Sequence, residues 1–136
     1  MNVARFLLDT SICIYIRGRR PLAVLARFRQ LTPGQAVLSV ITYGELAYGA
    51  EKSQFREQAR RQLAELAGLL PVLELPSRAG EFYGSIRAGL AARGDMIGNN
   101  DLWIAAHAQA AGLILVTNNE REFRRIHGLE IQNWAD

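Results

Sequence analysis

Cysteine, lysine and histidine are scarce in this chain, and each shortage excludes a class of chemistry. Cys13 is the one cysteine among 136 residues, so neither an intramolecular disulfide nor a cysteine-based metal cage can form. A small core residue is its expected role. His107 and His127 have the wrong spacing for a metal pair. His107 is expected to pack within an alanine-rich helix, and His127 to end a helix, where partial positive charge suits the dipole. Lys52 is the only lysine and lies on a helix, and Ser11 stands two residues after Asp9 where an Asp-x-Asp motif would need an acid. Both facts argue against a covalent aspartyl phosphate, whose phosphate needs a nearby cation.

Long apolar runs are missing as well. The longest uncharged stretch, 102–119, contains His107, Gln109 and Gly112. It reads as a buried helix followed by a buried strand, not as the ~20 apolar residues of a membrane span. Asp9 interrupts the N-terminal apolar segment, and no small-residue cleavage site follows it. Linkers, repeats and low-complexity tracts are absent from the sequence. A soluble cytoplasmic protein with one domain over 1–136 is expected.

What is present is apolar residues and arginine. Hydrophobic residues make up 49% of the chain, and a chain of this size buries roughly 68% of its unfolded surface, enough for a core without staples. The net charge is only +3, but 15 of the 16 basic residues are arginine. Its planar fork grips phosphate with two bonds, a weak pointer to an anionic partner.

Apolar runs at 6–8, 36–40, 72–75 and 113–116 read as strands, with an edge strand at 130–134. Helical patterns fall between them at 11–17, from Pro21, at 42–52, 54–70, 77–92, 101–111 and 120–126. In the 54–70 helix, Phe55, Ala59, Leu63, Leu66 and Leu70 share one face. Alternating strands and helices predict an α/β fold with a mainly parallel central sheet. Such sheets bind ligands beyond the carboxyl ends of their strands.

Acids lie at those ends. Asp9 follows the first strand, Glu45 lies one turn into the helix after the second, Asp101 opens the helix before the fourth, and Asn118-Asn119-Glu120 follows the fourth. Oxygen ligands without Cys or His point to a hard cation, Mg²⁺ or Mn²⁺, able to activate water and stabilise phosphoryl charge. Each acid also has a structural reading. Asp9 and Asp101 suit helix N-caps, and Thr42-x-x-Glu45 matches a capping box. Capping alone does not require the acids to gather at strand ends. Arg17, Arg19 and Arg20 follow the Asp9 segment, and Arg121, Arg124 and Arg125 follow Asn119. Arginines beside an acidic centre suit a nucleic-acid backbone, or simply form a solvated basic face. Trp103 fits base stacking less well than core burial, and packing is the expected role of Tyr43 and Tyr48.

Four segments carry a resemblance to a known family. They are Phe6-Leu7-Leu8-Asp9-Thr10-Ser11-Ile12, the stretch from Ser39 through Thr42-Tyr43-Gly44-Glu45-Leu46 to Gly49, the stretch from Ile97 through Asn99-Asn100-Asp101-Leu102 to Ala108, and Leu115-Val116-Thr117-Asn118-Asn119-Glu120-Arg121-Glu122-Phe123. Together they resemble PIN-domain proteins, specifically the VapC toxins of bacterial toxin–antitoxin pairs. The resemblance implies a PIN-like α/β fold and a Mg²⁺- or Mn²⁺-dependent endoribonuclease, with Asp9, Glu45 and Asp101 as metal-binding acids. It also implies RNA as substrate, a cognate VapB-type antitoxin that covers the acids, a homodimer and a toxin–antitoxin hetero-oligomer. Some relatives carry Asp where this chain has Asn119, which removes a charge that Glu120, ahead of Glu122, would restore. Ser11 stands where Asn is usual. Thr117 is expected beside the acids, with Asn118, Arg17 and Arg121 toward substrate. The alternative is a non-catalytic PIN-like module whose acidic pocket binds a partner.

Overall fold

The first strand explains the architecture. β1 (Phe6–Leu8) is buried along its whole length, and its alternating side chains enter two different cores. Phe6 and Leu8 join Leu38, Val116, Leu63 and Leu66 on one side, while Leu7 joins Val37, Leu115, Leu102 and Phe123 on the other. A strand apolar on both faces belongs at the centre of a covered parallel sheet. In the computed structural model, which describes residues 3–135, that is its position.

β2 (Ala36–Ser39), β3 (Val72–Leu73), β4 (Ile114–Val116) and β5 (Ile131–Gln132) complete a sheet of order β3-β2-β1-β4-β5. Every pairing is parallel, with Leu7 opposite Val37 on one side and Leu115 on the other. The expected mainly parallel α/β sheet is therefore found. α1 (Thr10–Gly18), α2 (Leu22–Arg29), α3 (Val40–Glu51) and α4 (Arg56–Leu69) follow the first two strands. α5 (Ala79–Ala92), α6 (Asn99–Ala111) and α7 (Glu120–Phe123) belong to the second half. Leu7, Leu8 and Leu115 are fully buried, and truncating any of them to alanine is expected to cost about 2–5 kcal/mol. Among the described residues no helix is long and apolar enough to cross a membrane.

Several boundaries differ from the sequence expectation. α3 starts at Val40, with the Ser39 hydroxyl accepting from the Ile41 N–H, so Thr42 lies inside the first turn and forms no capping box with Glu45. α6 starts at Asn99 with Gly98 at its cap position, which places Asp101 inside the first turn, not at the cap. α4 starts at Arg56 and leaves Phe55 70% exposed, while Leu63, Leu66 and Leu70 are core. Tyr48 is exposed too, with Lys52 Nζ 4.9 Å above its ring. Gly112 closes α6 in the left-handed region at φ 66°, where a side chain would be strained. At the end of α1 the left-handed residue is Arg19, one position beyond the expected stop at Gly18.

Candidate active site

The strand order reverses between β1 and β4, and the residues leaving those two strands meet at once. The Asp9 N–H donates to the Val116 carbonyl at 3.0 Å, extending the β1–β4 pairing by one residue. The Thr117 hydroxyl, first residue past β4, donates to Asp9 Oδ2. Asp9 Oδ1 accepts from the Ser11 hydroxyl at 2.7 Å and from the Ile12 N–H at 3.0 Å. Asp9 thus caps α1, as one reading of the sequence expected, and also anchors the crevice. Burial pushes its carboxyl above the ordinary carboxylate range, and the bonds from Thr117, Ser11 and the Ile12 backbone hold it back.

Glu45 lies in the second turn of α3, where its Oε1 accepts from the Thr10 hydroxyl at 2.7 Å. Thr10 and Ser11 therefore serve different carboxylates from adjacent positions. Sequence reasoning missed Thr10, whose only signal was its place beside Asp9. Asp101 projects from the first turn of α6 without a capping role. Its carboxyl is pushed up to about 6, first by burial and then by the carboxylates of Glu122, Glu45 and Asp9. Asp101 therefore feels three other acids, and the four are drawn from four separate elements.

The structure reverses the order of the two glutamates on α7. Glu120 turns its carboxylate to Arg124 at 2.7 Å, whereas Glu122 lies within hydrogen-bond reach of Asp101. Asn119 is exposed at the start of α7 and donates its backbone N–H to Thr117 Oγ1 at 2.8 Å. Asn118 is directed away from the acids, donating to the Tyr15 hydroxyl at 2.7 Å and accepting from Asn133 at 3.2 Å. Arg17 and Arg121 are exposed. Arg124 and Arg125 are engaged within the chain, Arg124 with Glu120 and Arg125 with Asp95 and the Met96 carbonyl. Of the two readings of these arginines, the pairs within the chain favour the basic face over a phosphate contact. Trp103 is half-buried and stacked on Tyr83 at 3.9 Å, so one ring face is already used. His107 is buried, with Nδ1 2.9 Å from the Ser39 hydroxyl.

A PIN domain model matches residues 6–129, and the four acids lie within that span. The chain belongs to the PIN-domain family. Among the relatives of this PIN domain is ribonuclease VapC2 of Haemophilus influenzae, 44% identical over 96% of this chain and 98% of that protein. The tRNA(fMet)-specific endonuclease VapC of Shigella flexneri is 42% identical, again over 96% and 98%. The structure of DNA-bound VapBC from Salmonella typhimurium superposes with a TM-score of 0.90 at 40% identity, covering 96% of this chain and 98% of that one.

The donor set of this PIN domain consists of hard oxygens, which suit Mg²⁺ or Mn²⁺ better than softer metals. Among the described residues no three such side chains stand close enough to form a finished cage. Asp9 and Glu45 are instead held by hydroxyl partners, while Asp101 lies against the carboxylate of Glu122. After burial, the neighbouring carboxylates lift the Asp101 carboxyl, and a divalent cation would relieve that repulsion. The residues fit such a cation.

Proposed function

We propose that this PIN domain, taken over 1–136, is a Mg²⁺- or Mn²⁺-dependent endoribonuclease that hydrolyses RNA phosphodiester bonds as the toxin of a toxin–antitoxin pair. The observation that carries this reading is the gathering of Asp9, Glu45, Asp101 and Glu122 at the β1–β4 reversal. Relatives named ribonuclease and endonuclease support it. A VapB-type antitoxin as inhibitor, a homodimer, a toxin–antitoxin hetero-oligomer and a cytoplasmic setting complete the reading. Support for the antitoxin comes from the VapBC structures that this fold resembles.

Asp9, Glu45 and Asp101 would hold the cation. When bound, it supplies the charge that activates water and steadies the phosphoryl oxygens. The chain's own groups prepare the site. Ser11 and Thr117 orient Asp9, and Thr10 orients Glu45, so two ligands are fixed before substrate arrives. Glu122 replaces Glu120 as the fourth carboxylate, and Asn119 adds an uncharged polar group at the rim. Arg17 and Arg121 bind backbone phosphates. The test is cleavage of tRNA with and without Mg²⁺ by wild type and by Asp9→Asn and Asp101→Asn. Variants that cleave as fast as wild type would sink the proposal.

One observation favours a second reading, a non-catalytic pocket that binds a partner's cation: the site lacks a finished metal cage. Calorimetry with Mn²⁺ separates the two. The nuclease binds Mn²⁺ and Asp9→Asn abolishes that binding, whereas a pure partner pocket gives no heat in either protein.

A further inference from the structure

The carboxyl end of α1 holds a feature the acids do not explain. An open cleft of about 690 Å³ is walled by Tyr15, Arg19, Arg20, Pro21 and Leu22. Its floor is apolar, and Leu22 is 76% exposed. Its rim carries two guanidinium groups. Several other arginines are engaged: Arg60 with Glu51, Arg124 with Glu120, Arg125 with Asp95, and Arg27 with Gln132. Among the described residues, the side chains of Arg19 and Arg20 have no carboxylate, carbonyl or ring partner.

Helix closure does not account for them either. The backbone N–H groups of Arg19 and Arg20 close α1 by donating to the Ile16 and Tyr15 carbonyls. Their side chains take no part. Arg19 adopts φ 59°, a left-handed conformation that disfavours any residue with a side chain and is usually given to glycine. Placing arginine there strains the chain and presents a charge at the cleft.

We infer that this cleft is a subsite for single-stranded RNA, with a base against Tyr15 and Leu22 and neighbouring phosphates on Arg19 and Arg20. An apolar platform edged by arginine is the recognition chemistry of unpaired nucleic acid. The inference rests on the ribonuclease reading above and names where its substrate extends. Tyr15 links the two places, since its hydroxyl accepts from Asn118, the neighbour of the Thr117 that holds Asp9. The nine residues of α1 rise about 13.5 Å.

The test uses the full chain in EDTA, titrated with a fluorescein-labelled RNA stem–loop at several salt concentrations, followed by cleavage of the same RNA with Mg²⁺. The double variant Arg19→Gly/Arg20→Ala removes both charges, and glycine suits the left-handed position, so folding is protected. Its RNA affinity is expected to fall about tenfold or more and its salt slope by about 1.4. KM should rise while kcat changes little. Leu22→Ser should raise KM a few-fold and leave the salt slope unchanged. Arg29→Ala/Arg61→Ala removes equal charge outside the cleft and should bind within about twofold of wild type.

Wild-type binding by the Arg19/Arg20 variant overturns the subsite, as does an equal loss in the Arg29/Arg61 control. Normal RNA binding combined with escape from a co-expressed antitoxin would assign the cleft to the antitoxin instead. If wild type neither binds nor cleaves RNA, the ribonuclease reading itself has failed. If wild type cleaves and the Arg19/Arg20 variant matches it, only the subsite has.

Discussion

Asp9 and Asp101 approach the same crevice from opposite sides of the fold, and their surroundings differ in kind. Asp9 leaves the central strand, is buried, and receives hydrogen bonds from Thr117, Ser11 and the Ile12 backbone. Asp101 stands in the first turn of α6 among the carboxylates of Glu122, Glu45 and Asp9. One acid is integrated into the architecture, while the other is tolerated at its expense. Burial raises both carboxyls, but only at Asp9 do donors oppose the rise. One crevice thus holds one carboxylate by donors and the other among like charges.

The largest effects should fall on activity, and there the two acids should be alike. Asp9→Asn and Asp101→Asn are each expected to lose more than the ~100-fold typical of an outer-shell change, read as the initial rate of RNA cleavage in Mg²⁺. If one of them keeps more than a tenth of wild-type activity, that acid is not a ligand. Thr117→Val comes next. It removes the hydroxyl that joins Asp9 to the Asn119 backbone, and a loss of about 10–100-fold is expected, with Thr117→Ser restoring most of it. A Thr117→Val enzyme at full rate would mean that Asp9 needs no orientation from β4.

Stability should separate the two acids. Asp9→Asn turns an amide N–H toward donors that need an acceptor, so a loss of about 1–3 kcal/mol is expected in urea melts. Asp101→Asn removes a crowded charge and should be neutral or stabilising. The folded carboxyl of Asp101 titrates near 6, above its ordinary 3.8. The folded state therefore holds that proton more tightly, so ionised Asp101 opposes folding above about pH 6, and the cost fades as pH falls toward 4. In EDTA, Asp101→Asn should melt above wild type at pH 8, and the gap should close near pH 4. A gap independent of pH would remove the charge argument. Protons should also compete with Mn²⁺ below about pH 6, weakening its binding.

How much of this was legible in the sequence follows the same division. Strand ends and alternation located Asp9, Glu45 and Asp101, because a central parallel strand is recognisable from an unbroken apolar run. Phase within a helix was harder. Whether Glu120 or Glu122 faces the acids depends on where a four-residue helix begins, and no periodic pattern that short sets the start. Spacing alone also produced the Thr42–Glu45 capping box. The start of α3 is set by Ser39, a strand residue whose hydroxyl turns to cap the next helix. Arg125 resembled a phosphate ligand because an isolated sequence does not show that Asp95 and the Met96 carbonyl lie beside it.

The smallest predicted effect concerns the joint between the helices that carry Glu45 and Asp101. Ser39 Oγ caps α3 and lies 2.9 Å from Nδ1 of His107 on α6, both residues buried. Burial holds the His107 pKa below its ordinary 6.5, so the ring is neutral in the folded protein near neutral pH. The unfolded chain takes up the proton first as pH falls through 6.5, and stability is lost on acidification. Ser39→Ala removes both the cap and the ring's partner and should cost about 1–2 kcal/mol. Because Asp9 is held from β1 and β4 rather than from α3 or α6, Ser39→Ala should leave the consequences of Thr117→Val unchanged. Measured in urea melts, the stability changes of Ser39→Ala and Thr117→Val should therefore add in a double-mutant cycle. A coupling above ~0.5 kcal/mol would show that the two sides of the crevice are not held independently.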